Sequence, residues 1–436
     1  MVSSDTIVAL ASGNVPSGVA VIRVSGPQAM QLKQKHGFID DSPRVAQYGP
    51  IVDCFSGELL DMGLCIWFPA PRSFTGEDCV EFHLHGGRAV VVAVIDSLTK
   101  LNDVRLAEAG EFTKRAFENG KFDLTEVEGL SDLISAETEA QRKLALNQGR
   151  GNFRLLCENW RKRLIDVQAH LAAEIDFVDE DDVPEDAGRA GLSALHELIS
   201  DVSRHLHDNR AGEIVRDGFR VVIMGPPNAG KSSLLNLLAK REVAIVTNQE
   251  GTTRDVLDVH LDVGGFAVIV SDTAGIRETD DIVEQEGIRR ANERSDNADL
   301  IVWLQDNELI DRPKNLTSES DLIALISKDD DGRCNPGSSI SCKSGHGVEW
   351  LLNEIQVRLK EKVSIADEVV ISRVRHRLLL QDCLSHMQNA LELDSDDIEL
   401  QADLLRSAGV CIGKLTGRVD VEDLLDVIFS EFCVGK

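Results

Sequence analysis

The run Arg220-Val221-Val222-Ile223-Met224, followed by Gly225-Pro226-Pro227-Asn228-Ala229-Gly230-Lys231-Ser232-Ser233, leaves this chain little choice of local fold. Five residues that are apolar after the first read as a buried strand, a glycine-bounded loop follows, and Leu234-Leu235-Asn236-Leu237-Leu238 continues as a helix. The loop fits G-x-x-x-x-G-K-[ST]. Backbone N–H groups of such a loop cradle phosphates, the lysine reaches the outer phosphates, and the hydroxyl holds Mg²⁺. A strand before it and a helix after it are the context this chemistry requires, so the stretch reads as a nucleoside triphosphate site.

The chain has 436 residues, more than one hydrophobic core usually supports, and two to three domains are expected. No stretch approaches the roughly 18 uninterrupted apolar residues of a membrane span. The start, Met1-Val2-Ser3-Ser4-Asp5, has neither the basic patch nor the apolar region of a secretory signal, and the expected location is the cytoplasm. The nine cysteines are odd in number and show no C-x-x-C spacing, which argues against a disulfide framework and a zinc site. A formal charge of -28 repels a phosphate backbone, so nucleic-acid contact needs a local basic patch or a partner's surface. Arg373-Val374-Arg375-His376-Arg377 is one such patch, and it reads equally well as a solvated helix face.

The pattern along the chain predicts a multidomain α+β and α/β protein. Residues 1–121 are strand-rich, with Val19–Val24, Leu64–Phe68 and Cys79–Leu84 as examples and a helix over Ala89–Leu98. Helical periodicity begins after Lys121, where Leu124, Val127, Leu130 and Ile134 follow a capping-box-like Asp123 and Glu126. Leu164, Val167, Leu171 and Ile175 carry it on to the acidic run Asp179–Asp186, read as a loop. Strands and helices alternate over 212–362, and helices return to the end, with Leu380, Leu384, Met387 and Leu391 on one face and Val421, Leu424, Leu425, Ile428 and Phe432 on another. Neither flanking helical stretch, 122–211 or 363–436, is complete alone. They are expected to form one bundle with the Ras-like P-loop domain inserted between them.

Further pieces follow the phosphate loop in the order a GTP-binding domain needs. Gly251-Thr252-Thr253-Arg254-Asp255 offers a threonine to Mg²⁺, and Asp272-Thr273-Ala274-Gly275 places Asp272 to hold Mg²⁺ through water, with the Gly275 N–H facing the γ-phosphate. Ser327-Lys328-Asp329-Asp330 departs from [NT]-K-x-D at Ser327 but puts Asp330 where the guanine edge donates, and Ser341-Cys342-Lys343 completes a base pocket. Ile276 stands where Ras-like enzymes carry the glutamine that orients water. The candidates nearest downstream are Glu278, Asp280, Asp281 and Glu284, which the residues alone do not rank.

These pieces resemble the tRNA-modifying GTPase family MnmE (TrmE), and the likeness runs along the whole chain. It includes Gly18–Pro27, Ser73-Phe74-Thr75-Gly76-Glu77-Asp78, His85-Gly86-Gly87, Gly110–Phe117 and the terminal Phe432-Cys433-Val434-Gly435-Lys436. The resemblance implies an N-terminal folate-binding and dimerisation domain, with Arg23, Glu81, Lys121 and Lys436 at a tetrahydrofolate one-carbon carrier. It implies K⁺ held by Asn228, Thr247, Gln249 and Thr252, and Glu284 as the residue that orients water. Mg²⁺ falls to Ser232, Thr253 and, through water, Asp272. The nucleotide contacts become Asn228, Ala229, Gly230, Lys231, Ser232, Ser233, Thr247, Asn248, Gln249, Glu250, Gly251, Thr252, Thr253, Asp272, Thr273, Ala274, Gly275, Ser327, Lys328, Asp329, Asp330, Ser341, Cys342 and Lys343. Cys433 is a catalytic candidate near the folate.

The activity implied is K⁺-activated GTP hydrolysis coupled to installing a carboxymethylaminomethyl-type group at C5 of the wobble uridine, U34. The implied partners are a second copy of the chain, tRNA, and an MnmG-type flavoprotein that brings FAD and NADH in a heterotetramer or larger complex. A regulatory GTPase switch without modification chemistry is the alternative, and Arg23, Glu81 and Lys436 discriminate, because a pure switch needs no folate. His83 and His85 share a strand face, but two ligands do not make a metal site. Cys433-Val434-Gly435-Lys436 is a poor prenylation box, and Cys411-Ile412-Gly413-Lys414 reads as ordinary helix.

Overall fold

A computed structural model of the chain describes residues 5–176, 187–208, 210–241, 243–245, 258–272, 298–306, 321–363, 370–393 and 397–419, together with Leu425, Ile428, Phe429, Phe432 and Gly435. The acidic run Asp179–Asp186 lies outside the described residues. Residues 1–131, 148–158 and 412–436 make one compact unit, and residues 132–147 and 159–411 make another.

The first unit is built on six strands: β1 (Thr6–Leu10), β2 (Ser17–Ser25), β3 (Gln47–Val52), β4 (Leu59–Phe68), β5 (Cys79–Gly86) and β6 (Val104–Leu106), in the order β3-β4-β5-β2-β1-β6. All neighbours are antiparallel except β1 and β6. Period-two alternation decides the faces. Val80, Phe82 and Leu84 of β5 join Ile22 and Val24 of β2 beneath α1 (Ala29–Lys35) and α2 (Arg88–Thr99), whose Leu32, Val91, Val94 and Leu98 complete the layer. Each such side chain contributes about 1.5–3 kcal/mol on burial. On the other face Ile7 and Ala9 meet Phe112 of α3 (Glu111–Glu118) and the loop residue Phe74.

The helix α4 (Leu124–Ser135) begins with the reciprocal cap its sequence predicts. The Asp123 N–H donates to Glu126 Oε2 and the Glu126 N–H to Asp123 Oδ1, each at 2.9 Å. Leu124 and Val127 pack with Ile428, Phe429 and Phe432, and Leu130 closes that cluster. Ile134, expected on the same stripe, is 41% exposed because the cluster ends a turn earlier.

The second unit holds a parallel sheet of β7 (Phe219–Met224), β8 (Asp258–Val263), β9 (Phe266–Asp272), β10 (Leu300–Gln305), β11 (Asp321–Ser327) and β12 (Ser339–Ile340), ordered β12-β11-β10-β7-β9-β8. Among the described strands the β8–β9 pairing is antiparallel and the other pairings are parallel. The strand that leads into the phosphate loop is therefore central, and its near-continuous apolar run suits burial on both faces. Val221 and Ile223 face one core with Leu234 and Leu238, while Val222 faces another with Ile301. The helices α9 (Lys231–Ala239) and α10 (Val348–Val363) supply the first core.

The remaining helices are α5 (Glu139–Gly149), α6 (Asn152–Asp176), α7 (Ala187–Leu206), α8 (Ala211–Asp217), α11 (Val374–Glu392) and α12 (Ile398–Leu415). Trp160 of α6 is fully buried, and its indole N–H donates to Asp201 of α7 at 3.0 Å. Helices α7 and α11, from either side of the sheet in sequence, pack together. The inward residues of α11 are Leu380, Cys383, Met387 and Ala390. Leu384 and Leu391, expected on one face with Leu380 and Met387, sit half-buried at its flank while the smaller Cys383 and Ala390 face inward.

The chain entering the sheet and the chain leaving it touch. A Cβ at Gly212 would stand 2.4 Å from the Ile371 carbonyl oxygen, so only glycine admits the contact. Arg377 donates to Glu213 at 2.6 Å and to Asp208 at 2.7 Å. Burial works against ionised Glu213, yet Arg377 and Arg210 carry its pKa below the usual range. Asp132 accepts from Arg216 at 3.0 Å and from Arg373 at 2.8 Å. Helix α5 reaches the hairpin, where the Ala140 N–H donates to the Gly265 carbonyl at 3.0 Å.

The basic run 373–377 is in part tied into the fold. Arg373 and Arg377 are engaged by carboxylates, and His376 is buried. Cys411–Lys414 lies within α12, and the eight described cysteines are free thiols. No helix among the described residues is long and apolar enough to cross a membrane.

Candidate functional site

At the carboxyl end of β7 the chain turns through Gly225–Gly230 into α9. Gly225 has φ 145° and lies so near Leu304 that a Cβ would stand 2.0 Å from that carbonyl oxygen. A side chain there would push the loop off its neighbouring strand. The first N–H groups of α9 have no partners within the helix, which makes its start an anion site. Lys231 Nζ donates to the carbonyls of Gly225 and Pro226, each at 2.9 Å. Burial lowers the Lys231 pKa, and Asp272 pulls it the other way.

Ser232 Oγ donates to Asp272 Oδ2. This pair follows from the register of the sheet, in which Ile223 stands beside Asp272. Two hard oxygens meeting at the helix start match what Mg²⁺ takes from protein, the rest of its shell being water and phosphate.

The side facing the loop is built at the ends of β11 and β12. Ser341 Oγ donates to Asp330 Oδ1 at 2.7 Å, and Lys343 Nζ lies 3.6 Å from the other oxygen. Ser327 is 7% exposed, and its Oγ has no hydrogen-bond partner among the described residues. Burial pushes the Cys342 thiol up, with Asp330 adding to the effect. A cavity of about 590 Å³ joins the two halves: Asn228, Gly230, Lys231, Ser232 and Ser233 line one side and Ser327, Lys328, Asp330, Cys342 and Lys343 the other.

Of the remaining candidates, Ala229 is buried beneath the loop and Ser341 acts through Asp330. Asp329 turns away from the cavity and accepts from the backbone of Arg333 and Cys334 and from Ser339. Thr247 to Thr253, Thr273 to Gly275 and Glu284 lie outside the described residues. Pro227, Leu304 and Ile340 also line the cavity and were not among the expected residues. Leu304 and Ile340 carry no chemical signature, and only their place at strand ends, where α/β sheets bind ligands, points to them.

In the first unit Arg23 and Glu81 are cross-strand neighbours joined at 2.9 Å, each with 18% of its side chain exposed. Burial raises the Glu81 pKa, but His83 and Arg23 together bring it below the ordinary value. The Phe74 ring lies under the Arg23 guanidinium at 4.8 Å. The loop that carries Phe74 is braced from inside, with Ser25 bonded to Thr75 and Glu77, and Arg115 paired with Glu77. Phe74 had a place in a motif but no role in the sequence. Lys121 Nζ donates to the Pro71 carbonyl at 2.9 Å, close to the same loop. Cys433 and Lys436 lie outside the described residues.

His85 bonds Asp61 at 2.8 Å and His83 lies 3.6 Å from Glu81. No cluster of three or more His, Cys, Asp or Glu suited to a metal occurs among the described residues.

Two family models match the chain: "GTP-binding protein TrmE N-terminus" over residues 6–121 and "MnmE helical domain" over residues 124–433. A tRNA modification GTPase MnmE of Agrobacterium fabrum is 46% identical over 446 residues, covering 100% of this chain and 99% of the relative. The protein of the same name from Brucella ovis is 47% identical over 438 residues, covering 99% and 98%. That from Azorhizobium caulinodans is 47% identical over 439 residues, covering 100% and 99%. Likeness to solved structures is weaker. The G domain of the T. maritima FeoB iron transporter is 21% identical and covers 32% of this chain and 98% of that one, with a TM-score of 0.24, too low to bear on the fold.

Proposed function

The chain belongs to the MnmE family of tRNA modification GTPases, and from that premise we propose that it hydrolyses GTP in the service of tRNA modification. The observation that carries this reading is one cavity lined by the phosphate loop, by Ser232, whose hydroxyl donates to Asp272, and by Asp330. The N–H groups at the start of α9 and Lys231 hold the β- and γ-phosphates. Ser232 and, through water, Asp272 would hold Mg²⁺ with Thr253, and the ion would supply charge neutralisation at the transferred phosphoryl group. Asp330, oriented by Ser341, accepts from the two N–H donors of the guanine edge.

The finer reading assigns K⁺ to Asn228, Thr247, Gln249 and Thr252, where a monovalent cation supplies charge as an arginine finger does elsewhere. Glu284 orients the attacking water, since Ile276 cannot. Arg23, Glu81, Lys121 and Lys436 hold a tetrahydrofolate one-carbon carrier, and Cys433 acts on substrate beside it. What supports the folate site is a partly buried ion pair on a sheet face with an aromatic ring under its cation. The chain works as a homodimer in the cytoplasm with an MnmG-type flavoprotein that brings FAD and NADH, and the product carries a carboxymethylaminomethyl-type group at C5 of U34. The net charge of -28 agrees with a partner that supplies much of the tRNA surface. The working division is 1–121 for folate and dimerisation, 122–211 with 363–436 for the helical part, and 212–362 for the GTPase.

Mass spectrometry of tRNA from cells lacking this protein tests the reading. Loss of the modified wobble uridine is expected, and normal wobble uridines would remove the tRNA role. Hydrolysis by the purified chain is expected to fall when Na⁺ replaces K⁺, and equal rates would remove the K⁺ assignment. Glu284→Ala is expected to slow hydrolysis with GTP affinity nearly intact.

A further inference from the structure

Two adjacent carboxylates at the end of β11 have opposite surroundings. Asp330 is 44% exposed on its side chain and lines the nucleotide cavity, whereas the Asp329 side chain is 7% exposed and points into the protein. Its Oδ1 accepts from the Arg333 N–H at 2.9 Å, and its Oδ2 accepts from the Cys334 N–H at 2.9 Å and from Ser339 Oγ at 2.7 Å. These donors, the Cys334 N–H foremost, hold the Asp329 carboxyl at about 2, so it is an ionised acceptor throughout the neutral range.

What Asp329 grips matters to its neighbour. The strand β12 is two residues long and lies at the edge of the sheet, joined to β11 through the Ile326–Ser339 and Ser327–Ile340 positions. Little backbone pairing holds so short an edge. Yet it delivers Ser341, Cys342 and Lys343, and Ser341 Oγ is the donor that orients Asp330. The two bonds run side by side, Asp329 to Ser339 and Asp330 to Ser341, each at 2.7 Å. The first pins the edge strand and the second uses it.

We propose that Asp329 is a positioning residue for guanine recognition: by fixing β12 and the 331–335 turn through Ser339 and two backbone N–H groups, it sets the orientation in which Asp330 meets the base. The proposal rests on the reading of this cavity as a GTP site. It separates two residues that the sequence had grouped as nucleotide contacts, one touching the base and one acting through it.

Steady-state hydrolysis of GTP and of inosine triphosphate, which lacks the 2-amino group Asp330 would accept from, tests the proposal in the full-length chain. Asp329→Ala is expected to raise KM for GTP about tenfold, to raise KM for inosine triphosphate less, and to leave kcat within about twofold, so that discrimination between the two falls. Ser339→Ala, which removes one of the bonds, is expected to shift discrimination the same way by a smaller factor. It carries the test by itself if Asp329→Ala does not fold. Unchanged discrimination in a folded variant, or KM values that rise in parallel for both nucleotides, would overturn the proposal. If the unaltered chain fails to prefer GTP, the guanine reading itself is wrong and the proposal falls with it, a result visible before any variant is made.

Discussion

The Ser232 hydroxyl donates to the Asp272 carboxylate, joining the first turn of α9 to the end of β9 at one pair of oxygens beside the phosphate loop. If Ser232 holds Mg²⁺ as proposed, removing its hydroxyl takes a protein oxygen from the ion. Ser232→Ala is expected to raise the Mg²⁺ concentration for half-maximal hydrolysis by about tenfold or more, on the scale of one charge-assisted contact. A titration of hydrolysis against Mg²⁺ checks this, and an unshifted curve would remove Ser232 from the metal.

Asp330 lines the cavity and accepts from Ser341, and if it reads guanine as proposed, its replacement changes which base is bound. Asp330→Asn is expected to weaken GTP by roughly 2 kcal/mol, about 30-fold, and to improve xanthosine triphosphate, whose 2-carbonyl accepts from an amide. Competition between the two nucleotides for the purified variant measures both effects at once.

Asp132 accepts from Arg216 and from Arg373, one on each side of the parallel sheet in sequence. With 14% of its side chain exposed, its loss leaves two guanidinium groups short of an acceptor they now share. Asp132→Ala is expected to cost about 1–3 kcal/mol of stability. Denaturant unfolding monitored by circular dichroism checks it, and a midpoint within error of the parent would show the bonds contribute little.

Burial raises the Asp123 carboxyl to about 6, although the Glu126 N–H and Thr125 hydroxyl pull it down. Its Oδ2 is buried without a hydrogen-bond partner among the described residues. A folded-state value above the unfolded one means the folded protein holds the proton more tightly. That stability is fully present below about 4 and lost as pH rises through about 6. Asp123→Asn cannot titrate, so the melting temperature of the parent relative to the variant is expected to be higher at pH 5 than at pH 7.5. A difference that does not change with pH would place the Asp123 pKa elsewhere.

The strand, glycine loop and helix of the phosphate site were legible because each part has its own local signal, and so was the cap at Asp123, where two side chains three residues apart answer each other. The burial alternation of Cys79–Leu84 was equally plain. What local pattern could not supply was partnership across the chain. Arg373 and Arg377 look alike on either side of a basic run, and only the fold brings Asp132, Asp208 and Glu213 to them. Asp329 and Asp330 are the same residue type in adjacent positions. Which one faces the cavity depends on the turn after β11 and on Ser339, ten residues away. Leu384 and Leu391 were misplaced for a related reason, because a helix's apolar arc shows its width in sequence but not the point on it that faces the neighbour.

The bonds from Arg377 to Glu213 and Asp208 close a circuit: residues 164 apart in sequence are neighbours in space. The entropy of closing a flexible loop grows only with the logarithm of its length, each doubling costing about 0.6 kcal/mol. Seen from α7 and α11, the whole nucleotide layer is then a bight of chain whose two ends are clipped together, and its length hardly enters the stability of the clip. A short flexible bridge in place of the layer should change the entropy of closing the clip little, while removing the core into which Ile214 and Val215 of α8 are buried.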